Sequence, residues 1–383
     1  MAMTINTNVV SLNSQRNLSL SGGSLATSMQ RLSSGLRVNS AKDDAAGLAI
    51  SERMNAQAKG LAVAARNAND GISLAQTAEG ALGKVGDMLQ RMRELAVQSS
   101  NATNSTTDRA ALQAEVTQLT NEIDRVAKTS SFNGTKLLNG SFAGGVFQVG
   151  AGAGENITVG SLVNAAAGSL GTVAYAKGTQ TVAALGADLR AGTLTYGNVT
   201  VTVAAAGSAK ERAGQVIAAV NASSADTGLT AFMDDAGTGV TFLSNAAVAT
   251  ANVVLKPSTG AAADVNIAIP ATAAQTAGLT GIADAKVSTQ ADAWLALKKI
   301  DAAMDSVSSA RGELGALQTR FEKTVENIDI MNENISAARG RIVDADFASE
   351  TANLSRSQIL QQAGTAMVAQ ANQLPQNVLS LLR

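Results

Sequence analysis

Three groups of carboxylates come closest to the spacing of an acid–base site: Asp43–Asp44, Asp234–Asp235, and Asp344 with Asp346. Adjacent side chains on a helix point about 100° apart, so neighbouring carboxylates do not face one another or share a proton. The first pair precedes AAGLAI, where negative charge stabilises a helix start. The second precedes Ala-Gly, which is typical of a turn. These groups therefore indicate helix ends and turns rather than an active site.

The chain contains no Cys and no His among its 383 residues. This composition excludes thiolate and imidazole catalysis, zinc sites built on these ligands, and the HExxH motif of zinc proteases. The glycine-rich segment GAGAGEN (residues 150–156) lacks the Lys-Ser/Thr that completes a phosphate-binding loop, which favours a flexible turn. We therefore predict that the protein is not an enzyme and has neither a cofactor nor a metal.

Charge and hydropathy restrict the partners of the chain. The formal net charge is -1, and there is no run of Lys and Arg, so we predict no nucleic-acid partner. No segment approaches the roughly 20 apolar residues that a membrane helix needs, so we predict no membrane span. The first residues have neither a basic nor an apolar signal region, so an exported chain would need another route.

Helical periodicity dominates both ends of the sequence. A heptad seam follows apolar positions in the last third, and only Thr324 departs from it: Leu314, Leu317, Phe321, Thr324, Ile328, Met331, Ile335, Ala338 and Ile342. A second seam runs through Leu360, Gly364, Met367, Ala371, Leu374, Val378 and Leu381. The first third has shorter seams, and Thr107 or Asp108 could cap one of its helices. An ordinary monomeric bundle would explain one seam, but seams at both ends favour pairing of N-terminal with C-terminal helices.

The middle of the chain, from about residue 140 to residue 284, is rich in Gly, Ala, Thr and Val. Residues 146–149 and 157–159 flank GAGAGEN and predict a β-hairpin. Alternating runs at 193–196, 199–203 and 240–243, with a helical run at 209–221, predict a small α+β module. An adhesin-like module is the alternative, although Trp294, the chain's single Trp, lies outside the module. The Ser and Thr of the module could be O-glycan acceptors or ordinary strand and turn residues.

Several long motifs closely resemble those of bacterial flagellins. Those at the N-terminal end are INTNVVSLNSQRNL from Ile5, RLSSGLRVNSAKDDAAGLAI from Arg31, RNANDGISLAQTAEGAL from Arg66 and QRMRELAVQS from Gln90. Those at the C-terminal end are LGALQTRFE from Leu314, ENISAARGRIVDADFASETANLSRSQILQQAG from Glu333 and NQLPQNVLSLLR from Asn372. The motifs occur at both ends in the expected order, whereas the centre shows no dependable resemblance.

The resemblance implies a mainly α fold with a β-rich insert. Terminal helices, residues 1–44 plus 345–383, would pair as the inner coiled coil of a filament. Residues 45–171 plus 284–344 would form a helical rod with a small β-hairpin, and residues 172–283 an outer variable α+β module. The implied function is that of a structural subunit that polymerises into the extracellular flagellar filament for swimming motility. A hook–filament junction protein, which shares the terminal helices, is the second alternative.

The resemblance also implies partners. They are further copies of the chain, an export chaperone on the C-terminal segment, and the filament cap and hook–filament junction proteins. Export would be unfolded, by the flagellar type III route without a cleaved signal peptide. A host Toll-like receptor would contact Arg91, Leu95 and Glu115, which match the family's receptor-contact motif. Arg91 and Leu95 share one helix face and would offer a charged group beside an apolar one; the alternative is that Leu95 belongs to the core and Arg91 is a solvated charge.

Packing between subunits is predicted for the apolar stripes of the two terminal helices. Those residues are Leu25, Met29, Leu32, Leu36, Leu360, Met367, Leu374, Val378 and Leu381. A thin helix pair of this kind should be marginally stable alone. Pro375 lies inside the last seam, and we expect a kink or a helix start there.

Overall fold

A computed structural model of the protein describes residues 7–186, 189–196, 199–234, 236–245, 252–257, 265–268 and 280–381. Its helices are α1 (Val9–Ser34), α2 (Ala45–Ser99), α3 (Thr106–Thr129), α4 (Val182–Leu185), α5 (Ala209–Ala222), α6 (Ser224–Thr227), α7 (Gln290–Val343) and α8 (Phe347–Leu381), with a 3-10 turn at Ile282–Asp284. Its strands are β1 (Ser131–Phe132), β2 (Thr135–Lys136), β3 (Gly145–Gln148), β4 (Asn156–Val159), β5 (Tyr175–Thr181), β6 (Gly192–Tyr196), β7 (Val199–Val203), β8 (Leu229–Met233), β9 (Gly239–Asn245), β10 (Asn252–Pro257) and β11 (Val265–Ala268). The prediction of a mainly α fold with a β-rich insert is confirmed.

The chain divides into two compact units. One consists of Met1–Asn69, Gln148–Asn156 and Glu322–Arg383, and the other of Asp70–Phe147 and Ile157–Phe321. The first unit contains α1 and α8 with the adjoining parts of α2 and α7. The second contains the rest of those two long helices, α3, and the strand-rich middle of the chain.

The core of the second unit is formed by the seams of the long helices. Leu82, Leu89 and Met92 of α2 are fully buried, as are Ile123 of α3 and Phe321 of α7. Gly71 makes room for the Phe321 ring, since a Cβ at that glycine would lie 2.6 Å from Cζ. Phe147 meets the same ring edge-on, with centroids 5.5 Å apart. The predicted heptad seam is therefore buried at this level of α7.

Side-chain caps determine where several helices begin and end. Asn8 accepts a hydrogen bond from Ser11 N–H at the start of α1, and Gly35 ends that helix with φ 72°. The sequence suggests Thr107 or Asp108 as the cap of α3, but the structure corrects this expectation. Ser105 is the cap, and its hydroxyl and the Asp108 carboxylate form a reciprocal capping box. The helix therefore begins two or three residues earlier than caps at Thr107 or Asp108 would imply.

The predicted hairpin is present as β3 paired with β4. The middle of the chain also forms two antiparallel sheets, with strand orders β5-β9-β8 and β11-β10-β6-β7. Helix α5 packs on the three-stranded sheet, and its residues Val216 and Val220 lie in one core with Phe242 of β9. The α+β architecture predicted from the alternating runs is confirmed. Helix α8 continues through Pro375, so no helix starts at that residue, and the alternative expectation of a kink there stays a prediction.

Candidate assembly interface

Helices α1 and α8 pack against each other along a seam of mostly small or polar residues. On α8 the residues at successive heptad positions are Glu350, Ser357, Gly364 and Ala371, of which Glu350, Ser357 and Ala371 are buried. Gly364 lies against Leu18, whose Cδ1 would be 3.1 Å from a Cβ at that glycine. On α1 the seam follows Ser11, Leu18, Leu25 and Leu32, which are buried or half-buried. Small residues let the two backbones approach closely, but they bury little apolar surface.

Polar contacts fix the two helices at both ends of this seam. The Asn8 Nδ2 donates to the Ala371 carbonyl at 2.7 Å, and the Ser11 hydroxyl donates to Asn372 Oδ1 at 2.7 Å. At the other end, Arg31 lies 3.9 Å from the carboxylate of Glu350. These contacts favour one register of α1 along α8 over others that the small residues would allow.

The large apolar side chains of these two helices lie mainly outside their shared seam. Met367 is 57% exposed, Ile359 65% and Phe347 70%, and Val9, Val10, Leu12, Leu20, Met29 and Leu360 are at least half exposed. Nine of the 16 exposed large hydrophobic residues found in the described part of the chain therefore belong to α1 and α8. Exposed apolar residues concentrated in this way mark an interaction surface.

The six predicted packing residues whose side chains are described divide into two groups. Met29, Leu360 and Met367 are exposed, whereas Leu25, Leu32 and Leu36 are half-buried. The side chains of Leu374, Val378 and Leu381 lie outside the described residues. Sequence reasoning missed six exposed residues: Val9, Val10, Leu12, Leu20, Phe347 and Ile359. The sequence contains a signal for these residues. Once the small residues of α8 at heptad spacing are taken as the contact with α1, the large apolar residues of both helices remain outside that contact.

A compact joint connects this helix pair to the ends of α2 and α7. Leu36 and Asp344 form an isolated antiparallel bridge, and the Ala345 N–H donates to the Gly35 carbonyl. The Arg37 guanidinium donates to the Ile342 carbonyl at 2.7 Å, which satisfies a free carbonyl at the end of α7. A cation at a helix C-terminus also interacts favourably with the helix dipole.

The acidic pairs serve as caps and turn-forming groups in the described structure. Asp44 accepts from the Gly47 N–H at the start of α2, and Asp346 accepts from the Ala348 N–H at the start of α8. The Ser40 hydroxyl and the N–H groups of Ser40 and Asn39 donate to Asp43 and lower its pKa. Asp234 closes a turn with Thr238, and Asp235 lies outside the described residues. No group of three or more potential metal ligands occurs within the described ranges.

The glycine-rich loop is braced by its own side chains. The Glu155 carboxylate accepts from the Gly152 N–H at 2.9 Å, and the Gln148 amide donates to the Gly150 and Gly152 carbonyls. Ala151 of the loop rests on α2, where a Cβ at Gly60 would lie 2.9 Å from the Ala151 Cβ. The expected turn is present, and its flexibility stays a prediction.

The residues predicted to contact a receptor lie together on α2 and α3. Arg91 pairs with Glu115 at 2.8 Å and with Glu94 at 2.9 Å, and these contacts raise its pKa, the Glu94 hydrogen bond most. The Arg91 and Glu115 side chains are 50% and 44% exposed. Leu95 is only 1% exposed and belongs to the core. The surface at this place is thus an exposed ion-pair network, and Leu95 contributes no exposed apolar group to it.

Within the described residues, none of the helices is sufficiently long and apolar to cross a membrane. Long helices dominate the two ends of the chain, and more than half of the exposed large apolar residues of the described structure lie on α1 and α8. These features define a structural protein whose working surfaces are helix faces.

Comparison with known proteins identifies the family. The model of the bacterial flagellin N-terminal helical region matches residues 5–143, and that of the bacterial flagellin C-terminal helical region matches residues 297–382. B-type flagellin of Pseudomonas aeruginosa is 40% identical over 489 aligned residues, and Flagellin D of Vibrio anguillarum is 43% identical over 395, with both chains fully covered in each case. The solved structure of FliC from Burkholderia pseudomallei is 25% identical, with a TM-score of 0.37, and covers 65% of this chain and 99% of that one.

The chain belongs to the bacterial flagellins. It is a structural subunit of the extracellular flagellar filament, which it forms with copies of itself, and it is not an enzyme. Because the full-length relatives are flagellins, the junction-protein and adhesin alternatives are not favoured.

Proposed function

We propose that the chain polymerises by burying the outward apolar residues of α1 and α8 between neighbouring copies. The observation that carries this proposal is the division of the helix pair into a small-residue seam and an exposed apolar outer surface. Burying one Leu, Met or Phe side chain contributes about 1.5–3 kcal/mol. Several such residues per copy supply a driving force that the seam itself lacks.

Filaments rather than closed rings follow from the same surfaces. The outward residues of α1 differ from those of α8. When the α1 surface of one copy packs on the α8 surface of the next, the two surfaces in contact are therefore not identical. Such head-to-tail contacts generate an open helix unless the rotation happens to close. The terminal helices, residues 1–44 plus 345–383, therefore act as the assembly domain, and residues 45–171 plus 284–344 act as the rod that supports it.

A triple substitution on α8 tests this assignment. We expect Ile359→Ser, Leu360→Ser and Met367→Ser together to abolish seeded polymerisation, measured by sedimentation and negative-stain microscopy. The helical signal of the monomer should remain close to that of the parent chain. The matched control replaces the exposed neighbours Gln361, Gln362 and Gln370 with Ser and should polymerise normally. Normal filaments from the first variant would refute the proposed interface.

Export partners follow from the exposure of the same side chains before assembly. A chaperone that covers the C-terminal segment, including Ile359, Leu360 and Met367, would prevent premature association of the chains. The flagellar type III route, a cap protein at the growing end and a junction protein at the base complete the proposed cycle. Co-purification of the chaperone with the full chain, and its loss after removal of residues 346–383, would support this part of the cycle. Unchanged co-purification of the truncated chain would refute it.

The outer module, residues 172–283, is proposed to take no part in the assembly contacts. Replacing residues 172–280 with a Gly-Ser linker should then preserve filament formation, because segments 281–283 and 167–170 hold each other by backbone hydrogen bonds. Failure of a folded, exported replacement chain to polymerise would place the module within the interface.

Recognition of the monomer by the host Toll-like receptor is proposed at Arg91, Leu95 and Glu115. The exposed pair of Arg91 and Glu115 supports a charged contact, and the buried Leu95 would act by holding the helix surface in place. Reporter cells should respond to intact monomer and respond less to the Arg91→Ala, Glu115→Ala double variant. The matched control Lys84→Ala, Asp87→Ala removes another exposed ion pair of α2 and should signal normally. Equal signalling by all three chains would refute the assignment.

A further inference from the structure

The three-stranded sheet of the middle module is covered on both faces. Leu229, Ala231, Val240 and Phe242 lie in one core with α5. On the other face, Phe232 and Leu243 pack with Ala291 in the first turn of α7, and Tyr175 packs against the same cluster. The sheet is thus sandwiched between a helix of the module and the first turns of a rod helix, all within the second compact unit.

An aromatic contact completes the attachment to α7. The rings of Phe232 and Trp294 lie 5.3 Å apart between centroids, with an interplanar angle of 52°. Phe232 is buried, whereas Trp294 is 40% exposed, so the module covers one side of the indole. Lys177 of β5 lies 3.8 Å from Asp292 at the edge of this contact, where an exposed ion pair adds little. Together these contacts form a latch, which consists of Tyr175, Phe232, Leu243, Ala291 and Trp294.

Residues 167–170 and 281–283 are the two chain segments that connect rod and module. They contact each other through hydrogen bonds that involve no latch residue. Gly281, Ile282 and Ala283 donate backbone hydrogen bonds to Gly168, Leu170 and Ala167, at distances of 3.0, 2.8 and 2.9 Å. Ile282 and Leu170 are buried, and the buried Lys299 of α7 donates to the Gly281 carbonyl. A Cβ at Gly281 would lie 2.2 Å from the Leu170 carbonyl oxygen, which leaves no room for a larger residue. This crossing holds the chain at the base of the module without any latch residue.

The crossing of residues 167–170 and 281–283 alone would keep the module attached to the rod. The latch therefore has a role other than attachment. We propose that the three-stranded sheet is a structural cap for the rod, coupled through Phe232 and Trp294 to the folding of the first turns of α7. Residues 290–307 of α7 then open and close together with β8 and β9. The outer module therefore stabilises the first turns of α7, whereas the assembly contacts proposed for α1 and α8 do not depend on it.

Hydrogen exchange read by mass spectrometry tests this coupling in the full chain. Phe232→Ala removes a buried aromatic ring, a change that weakens a core by several kcal/mol in other proteins. We expect amide exchange in residues 290–307 to accelerate at least about tenfold, as it does in residues 229–245. The matched control Phe347→Ala removes an exposed ring of α8 and should leave exchange in both segments unchanged.

A second variant distinguishes coupling from a local effect of the lost ring. Phe242→Ala weakens the module core on the face that packs on α5, away from α7. Accelerated exchange in both segments of this variant supports one folding unit, together with a red shift of emission from the single Trp. Acceleration confined to residues 229–245 in both variants overturns the proposal. Filament formation by either variant is a separate readout, so failure of the α1 and α8 interface would be recognised independently.

Discussion

Single acidic residues in this flagellin act mainly as hydrogen-bond acceptors that start helices and close turns. Asp43, Asp108 and Asp234 each accept from neighbouring hydroxyl or N–H groups, and each has a lowered pKa for that reason. The carboxylates are exposed, so their effect comes from hydrogen bonds to the charged form rather than from burial. A motif that resembles an acid–base pair in the sequence is thus a structural device here.

The capping box of α3 gives a prediction at this scale. Ser105→Ala removes the hydroxyl that accepts from the Asp108 N–H and donates to its carboxylate, and should lower the melting temperature by about 2–4 °C. Calorimetry at pH 7 would measure this loss. Ser100→Ala, which removes a hydroxyl outside the box, is the control. An equal shift in both variants would contradict the assignment of Ser105 as the cap.

Acid should weaken the fold through the same carboxylates. The folded pKa values of Asp43, Asp108 and Asp234 lie below their ordinary value of 3.8, so the unfolded chain binds protons first as pH falls. Their stabilising contribution is therefore complete above about pH 5 and is lost as pH falls through the folded pKa values. The difference in melting temperature between parent and Ser105→Ala should shrink between pH 5 and pH 2. A constant difference over that range would show that Asp108 is not part of the box.

At the scale of elements, the long helices could be predicted because their apolar residues recur at heptad spacing. The pairing surface of α8 could be predicted only in part: Gly364 and Ala371 lie in the second predicted seam, whereas Glu350 and Ser357 carry no hydrophobic signal. The same seam also includes Leu360 and Met367, which remain exposed. The crossing of residues 167–170 and 281–283 could not be predicted either, because backbone hydrogen bonds between distant segments require no particular residue types and leave no pattern in the sequence.

The ring of Phe321 is the most sensitive point of the predicted seam. It is fully buried beside Gly71 and Phe147, so Phe321→Ala should cost about 3–5 kcal/mol in the free energy of unfolding. Gly71→Ala should also destabilise, because the added methyl group would displace that ring. Denaturant unfolding measures both, and Gly80→Ala, at a glycine with open space around it, is the matched control. Stability of Gly71→Ala at or above that of the control would contradict the packing.

For the molecule as a whole, stability and assembly belong to different parts of the chain. The small seam between α1 and α8 offsets little of the entropy lost on ordering two long helices. Limited proteolysis of monomer should therefore trim both ends first and leave a core from roughly residue 50 to residue 340. The same treatment of filaments should spare the ends. Termini that resist protease in monomer would contradict the marginal stability proposed for this pair.

Removal of the residues after Ala345 separates the two roles directly. The truncated chain lacks α8 but retains α2, α3, α7 and the module, so it should stay folded and soluble. Sedimentation should find it monomeric under conditions in which the full chain polymerises on seeds. Filaments of normal appearance from the truncated chain would show that the assembly surface lies elsewhere.

The absence of Cys from the chain allows the most direct test of the central claim, that the outward apolar residues of α1 and α8 are buried between copies. A thiol introduced by Met367→Cys can be labelled in monomer and in filament, with Thr179→Cys on the exposed surface of the module as the control. We predict that the thiol at position 367 reacts readily in monomer and at least about tenfold more slowly in filament, because burial removes access to the reagent. The control thiol should react at similar rates in both. Equal reactivity of the thiol at position 367 in monomer and filament would contradict the proposed assembly interface.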